Sequence, residues 1–185
     1  MRGLILAGGK SSRFGADKAL AVYEGVTFLE RAVLLLASMD LKPVVVTRRG
    51  ADYPSVQCTT IYDKLPEKGP LGGIYSAMSS FKKTAFLVLT CDMPALTRDV
   101  LLELLDQHEP SRKLTLYSTG ERAEQPFPGI YEPAILDIVR EKLKKDELSM
   151  KGLIQEIVSR KMIAWKGAHD IFRNINTQKD LIQLS

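Results

Sequence analysis

Apolar strand-like runs alternate with helical patterns through most of this 185-residue chain. That alternation predicts an α/β fold, a Rossmann-like three-layer sandwich with helices covering both faces of a mostly parallel, mixed central sheet. The first strand supports it: an apolar run from Leu4 to Leu6 breaks at the paired glycines Gly8-Gly9, as strands do where the chain turns toward a ligand. Size agrees as well. With 45% hydrophobic and 26% charged residues, the chain suits a single domain over residues 1–185 with one sizeable core.

The elements follow in order. Leu20 to Val22 and a Glu24-Gly25 turn lead to Thr27, which with Glu30 makes a capping box for a helix reaching about Met39. Leu29, Ala32, Val33, Leu36 and Ala37 form its apolar face. Pro43 to Thr47 reads as a buried strand. Gly69-Pro70-Leu71-Gly72-Gly73 opens a second helix through Ile74, Ala77, Met78 and Phe81. Ala85 to Leu89 is the most strand-like run and ends at Thr90-Cys91-Asp92-Met93-Pro94. Thr97 caps a helix through Leu101, Leu102, Leu104 and Leu105. Strands are expected at Leu114 to Tyr117 and Pro128 to Tyr131, and Pro133 suits the first turn of a helix reaching Leu143. A helix over Lys151 to Val158, a late strand at Met162 to Trp165, and a terminal helix begun by Thr177 with Asp180 complete the chain.

Several function classes are disfavoured by composition. A formal charge of +4 suits anionic small molecules, but aromatics are only 7% and the lysines are dispersed, so no nucleic acid partner is expected. No apolar run reaches the roughly 18–20 residues that span a bilayer, so no membrane association is expected. The opening residues do not resemble a signal peptide, which predicts a cytoplasmic location. Cys58 and Cys91 make no C-x-x-C, and with His108 and His169 the only histidines, a His/Cys zinc site is not expected.

The segment from Leu4 to Lys18 carries the strongest chemical signal. Exposed backbone N–H groups around Gly8-Gly9, with Lys10, Arg13 and Lys18 nearby, make a concave site for an anion such as a polyphosphate. It is not a Walker A loop, because Leu4 stands where the first glycine should be. Nor is it a G-x-G-x-x-G turn, because Gly8 is followed directly by Gly9. Arg13 suits a clamp on phosphate oxygens and Lys18 a fixed charge beside the α-phosphate, whereas Lys10 reads equally well as a surface lysine. Asp92 lies just past the end of a central strand, where open α/β sheets bind ligands. It could hold Mg²⁺ together with substrate phosphates, or serve only an Asx-type turn. Gly69 and Gly72, at a helix start, allow either close ligand approach or tight helix-on-sheet packing. Asn174 and Asn176 project to one side of an extended segment with Ile175 opposite, as ligand contacts or as satisfied loop groups.

The run Leu6-Ala7-Gly8-Gly9-Lys10-Ser11-Ser12-Arg13-Phe14-Gly15-Ala16-Asp17-Lys18 resembles the signature of nucleotidyltransferases, most closely that of the molybdenum cofactor guanylyltransferases, the MobA family. Cys91-Asp92-Met93-Pro94 is similar to that family's C-D-x-P motif, and Phe172-Arg173-Asn174-Ile175-Asn176-Thr177 to its F-x-N-[IV]-N-T element. The resemblance runs from Leu4 to about Leu181. It implies transfer of GMP from GTP to molybdenum-molybdopterin, with release of pyrophosphate and use of Mg²⁺. On this resemblance Lys18, Asp92 and Arg13 are catalytic, and Asp92 is the metal ligand. Nucleotide and acceptor contacts would fall on Leu6, Ala7, Gly8, Gly9, Lys18, Asp63, Gly69, Gly72, Asp92, Asn174 and Asn176. Other molybdenum cofactor biosynthesis proteins and acceptor molybdoenzymes are the implied protein partners. The chain departs from the pattern at Gln125, where a histidine is common, and at Thr47-Arg48-Arg49-Gly50, which lacks an asparagine that many members carry. A relative using CTP is the nearest alternative, and a non-catalytic nucleotide-binding adapter is the alternative from another class.

Overall fold

The computed structural model of the protein describes residues 1–8, 17–120 and 124–183. Gly9, Lys10, Arg13 and Gly15 of the glycine-rich segment therefore lie outside the described residues.

The first strand, β1 (Arg2–Leu6), enters the middle of the sheet because four of its five residues are buried and apolar, or glycine. A two-stranded hairpin follows, β2 (Val22–Tyr23) and β3 (Val26–Thr27), closed by Glu24 and Gly25, both at positive φ. Primed hairpin turns require that conformation. Helix α1 (Phe28–Ala37) starts at the expected capping box: Thr27 accepts from Glu30 N, and Glu30 accepts from Thr27 N at 2.8 Å. Then come β4 (Pro43–Thr47), β5 (Thr59–Tyr62), α2 (Gly69–Ser80), β6 (Phe86–Thr90), α3 (Arg98–Asp106), β7 (Leu114–Ser118) and β8 (Glu124–Tyr131). After a short 3₁₀ turn at Pro133–Ile135 come α4 (Leu136–Lys144), α5 (Met150–Glu156), β9 (Arg160–Ala164) and α6 (Gln178–Ile182).

The seven-stranded sheet has the order β5-β4-β1-β6-β8-β7-β9. Strands β5, β4, β1 and β6 pair in parallel, β8 pairs antiparallel with both β6 and β7, and β9 is parallel to β7. The sheet is thus mixed and mostly parallel, as expected.

Its two faces are covered by different helices, and β1 shows how. Gly3 and Leu6 point to opposite sides by strand alternation. A Cβ on Gly3 would strike Leu36 of α1, whereas a Cβ on Gly73 of α2 would come within 2.8 Å of Leu6 Cδ2. Helices α1 and α2 therefore pack on opposite faces, and glycine at each contact lets helix and strand approach closely.

The structure differs from the expected elements in a few places. Strand β5 has no signature in the sequence, because Thr59 to Tyr62 is an exposed edge with no apolar run. Its place is set by backbone pairing, Val44 with Thr59 through Thr47 with Tyr62. Strand β8 extends back to Glu124 through a register shift at Leu116/Tyr117. Thr97 stands at the N-cap of α3 but makes no side-chain cap bond.

The α1 capping box has a pH signature. Hydrogen bonds from Thr27 hold the Glu30 carboxyl below its ordinary range, so its stabilisation is complete above that range and is lost as pH falls through the lowered value. Thr27→Ala should lower the melting temperature by about 2–4 °C at neutral pH. The gap from wild type should narrow on acidification in thermal melts run from neutral to acid pH.

Candidate active site

The three central strands end in register. Leu6 is opposite Val46 on one side and Thr90 on the other, so the carboxyl ends of β4, β1 and β6 form one edge. Pairing continues slightly beyond it: Ala7 N donates to Val46 O at 2.9 Å, and Cys91 N approaches Leu6 O at 3.4 Å. From β1 the chain moves to β4 on one side; from β6 it moves to β7 and β8 on the other. That reversal marks a topological switch point, where open α/β sheets bind ligands. After Leu6 the chain leaves the sheet through Ala7 and Gly8. A Cβ on Gly8 would make only ordinary contacts of 3.8 Å with Thr47 and Arg48, so packing alone does not call for glycine at this position.

Three distant stretches of chain meet at this edge. Lys18 begins a 3₁₀ turn, Lys18–Leu20, N-capped by Asp17. Its Nζ lies 2.7 Å from Asp92 Oδ2 and donates to Asn176 Oδ1 at 2.9 Å. Asp92 follows β6 directly, and its other oxygen, Oδ1, accepts from Thr90 Oγ1 at 2.5 Å. Lys18 and Asp92 keep only 14% and 19% of their side-chain surface exposed, so the pair is shielded yet reachable.

Asn176 arrives from the far end of the chain because its segment is pinned along its length. Phe172 packs on Tyr117 and Trp165 with ring centroids 5.3 and 5.1 Å apart. Ile175 is fully buried against Phe28, and its N–H donates to Asp92 O at 2.9 Å. Asp180 Oδ2 then accepts from Asn176 N and Thr177 N, which closes the capping box of α6. The expected alternation holds, with Asn174 and Asn176 exposed and Ile175 buried. Only Asn176 joins the cluster; Asn174 makes no hydrogen bond among the described residues.

Asp63 does not join it. It follows β5, two strands from β1, with its N–H donating to Thr47 O at 2.8 Å. Its Oδ1 accepts from Leu65 N at 3.0 Å and lies 2.8 Å from the buried Ser76 hydroxyl of α2. Asp63 thus ties the β5 loop to α2 while remaining on the same edge of the sheet. The two nearby glycines have different reasons. Gly69 adopts a φ of +58°, which favours glycine, whereas a Cβ on Gly72 would lie 2.8 Å from Leu65 O.

Thr90 and the group around Asp17 were not singled out from sequence. A threonine two residues before Asp92 is a local signal, but the contacts of Asp17 come from residues far along the chain. Beside Asp92, burial pushes the Cys91 thiol up to about 12, with the Asp92 charge adding to it. Cys91 is therefore a packed thiol rather than a nucleophile. Among the described residues no group of three or more His, Cys, Asp or Glu side chains could cage a metal ion. Nor is any described helix long and apolar enough to cross a membrane.

Comparison with known proteins decides the family. Residues 3–161 match the model of the MobA-like NTP transferase domain. The chain belongs to that family. As a MobA-like protein it is a nucleotidyltransferase. It is 30% identical to a probable molybdenum cofactor guanylyltransferase of Flavobacterium johnsoniae over 98% of this chain and 94% of the relative. A probable molybdenum cofactor guanylyltransferase of Deinococcus radiodurans is 32% identical over 98% of this chain and 92% of its own. The solved structure of molybdopterin-guanine dinucleotide biosynthesis protein A from Archaeoglobus fulgidus superposes with a TM-score of 0.80. At 19% identity, covering 99% of this chain and 96% of that one, it shows that the MobA-like fold is shared.

The Gly72 geometry has a direct consequence. Because the atom in the way is a backbone oxygen, Gly72→Ala should destabilise the protein by about 1–3 kcal/mol. Urea denaturation of the variant against wild type measures it.

Proposed function

We propose that the chain, acting as one nucleotidyltransferase unit over residues 1–185, transfers GMP from GTP to molybdenum-molybdopterin and releases pyrophosphate. The meeting of Lys18, Asp92 and Asn176 at the edge where Gly8 leaves β1 carries the reading. It puts a cation, a carboxylate and a neutral amide within one hydrogen-bonded cluster at a switch point. The names of the Flavobacterium and Deinococcus relatives support the choice of GTP and of this acceptor.

The residues present fit Mg²⁺. Asp92 is a hard oxygen donor with no protein cage described around it, and Mg²⁺ is usually held by one or two carboxylates plus substrate phosphates and water. Asp92 would hold the ion, which when bound neutralises charge on the phosphate oxygens. Lys18, on a long stem, exchanges Asp92 for phosphate and stabilises the charge that develops on the α-phosphate oxygens. The backbone at Gly8 and Gly9, with Arg13, cradles the triphosphate, and Leu6 and Ala7 at the end of β1 line the site beside it. Asp63, with Gly69 and Gly72 at the start of α2, receives the nucleoside end, two strands away on the same edge. The acceptor phosphate attacks in line, so positioning and electrostatics suffice without a covalent enzyme intermediate.

Titration calorimetry with Mg²⁺ should show GTP binding and much weaker CTP binding; equal or tighter CTP binding would move the chain to the cytidylyl class. Asp92→Asn should reduce pyrophosphate release by about 10²-fold or more while the protein melts normally. An unchanged rate would remove Asp92 from the site. Absence of pyrophosphate release in wild type with GTP, Mg²⁺ and acceptor would favour an adapter.

The acceptor side is tested at the two asparagines. Asn174→Ala should weaken acceptor binding by up to about tenfold, with GTP affinity and melting temperature unchanged. Asn176→Ala should affect acceptor and GTP together, because Asn176 also holds Lys18.

A further inference from the structure

The turn that presents Lys18 is anchored by groups with no part in the chemistry just described. Asp17, its N-cap, uses both carboxylate oxygens. Oδ1 accepts from Ala19 N at 3.1 Å and so shapes the turn. Oδ2 accepts from the Tyr53 hydroxyl at 3.1 Å. The Tyr53 oxygen also lies 3.3 Å from Thr47 Oγ1, which is fully buried at the end of β4. Since the single phenolic proton goes to Asp17, the Thr47 hydroxyl donates to Tyr53. The chain of bonds runs from Thr47 through Tyr53 and Asp17 to the backbone of the Lys18 turn.

Burial, opposed by Thr47 and reinforced by the Asp17 charge, pushes the Tyr53 phenol up to about 12, so it remains a donor at neutral pH. The ring is 8% exposed and packs in the main core. A phenylalanine would fill nearly the same space, so the hydroxyl is the separable part. Arg48 also faces Asp17 Oδ2, but at 3.5 Å and 66% exposed it is a weak anchor.

We propose that Tyr53 is a positioning residue for nucleotidyl transfer: through Asp17 it fixes the turn that aims Lys18 at the Asp92 edge. The inference rests on the role given to Lys18 above. Arg48, Tyr53 and Thr47 all belong to β4 or the loop after it, so the bond chain locks the Lys18 turn to the strand beside β1.

The test is a double-mutant cycle in the full chain: wild type, Tyr53→Phe, Lys18→Ala and the double variant. Pyrophosphate release with GTP, Mg²⁺ and acceptor is measured beside the melting temperature. Tyr53→Phe should slow transfer by about 5–50-fold, because small misplacements of a reacting group cost up to about 10²-fold. Its melting temperature should fall by about 2–10 °C, because the buried Thr47 hydroxyl loses its acceptor, while the protein stays folded at assay temperature. On top of Lys18→Ala it should add less than about twofold, the non-additivity expected of groups acting through one another. An equal loss in both backgrounds, or no loss in wild type, overturns the proposal. If Lys18→Ala itself leaves the rate unchanged, the role of Lys18 falls and the proposal with it, a result distinct from the other two. Should Tyr53→Phe fail to fold, Asp17→Asn carries the same cycle: it keeps an oxygen for Ala19 N and removes the charge that Tyr53 holds. The same non-additivity is expected, and equal losses in both backgrounds again overturn it.

Discussion

Parallel pairing of β4, β1 and β6 is the constraint on which the site depends. With Leu6 opposite both Val46 and Thr90, the three strands stop at one level and their following residues emerge side by side. A slip of one residue in either ladder would turn every β1 side chain to the other face and put a side chain where Gly3 lets Leu36 of α1 approach. The register is therefore held by the core, and the site inherits its alignment. Close helix approach at Gly3 and Gly73 depends on the same alternation.

The hydrogen bonds at this edge are few but tightly arranged. Thr90 holds one oxygen of Asp92 and Lys18 the other, so the carboxylate has little rotational freedom. Lys18 is steadied in turn by Asn176 on one side and by its capped turn on the other. The aromatic group of Tyr117, Trp165 and Phe172 extends that order to the last segment, which would otherwise have no reason to return to β6.

Charged groups buried elsewhere serve the fold. Lys142 of α4 is almost enclosed, and its ammonium lies 3.0 Å from Glu147 and 2.8 Å from Glu156. These pairs raise its pKa, with the Glu156 hydrogen bond the largest cause, and they tie α4 to the end of α5. His108, at the end of α3, bridges Thr115 on β7 and Glu132 after β8 at 3.0 and 2.9 Å. By joining the end of α3 to the fully buried Thr115 of β7 and to Glu132 after β8, this His-Thr-Glu group braces the helix against the sheet.

Local rules were legible in the sequence. The Thr27–Glu30 and Thr177–Asp180 boxes, the buried runs of β1, β4 and β6, and the outward pair Asn174 and Asn176 all follow from spacing over a few residues. So did Asp92 at a strand end, because an apolar run followed by a carboxylate is a short-range pattern. Strand β5 was not legible, since an exposed edge strand has no hydrophobic period and is defined by its neighbour's backbone. Nor was the partnership of Lys18 with Asp92 and Asn176, which lie 74 and 158 residues away. Tyr53 belongs to no sequence motif, and only folding brings its hydroxyl to Asp17. Residue type and short spacing determine which groups can do chemistry, because propensity and capping act within a turn or two of chain. Which of them meet was decided by the tertiary structure, because contact across such separations depends on strand order and register.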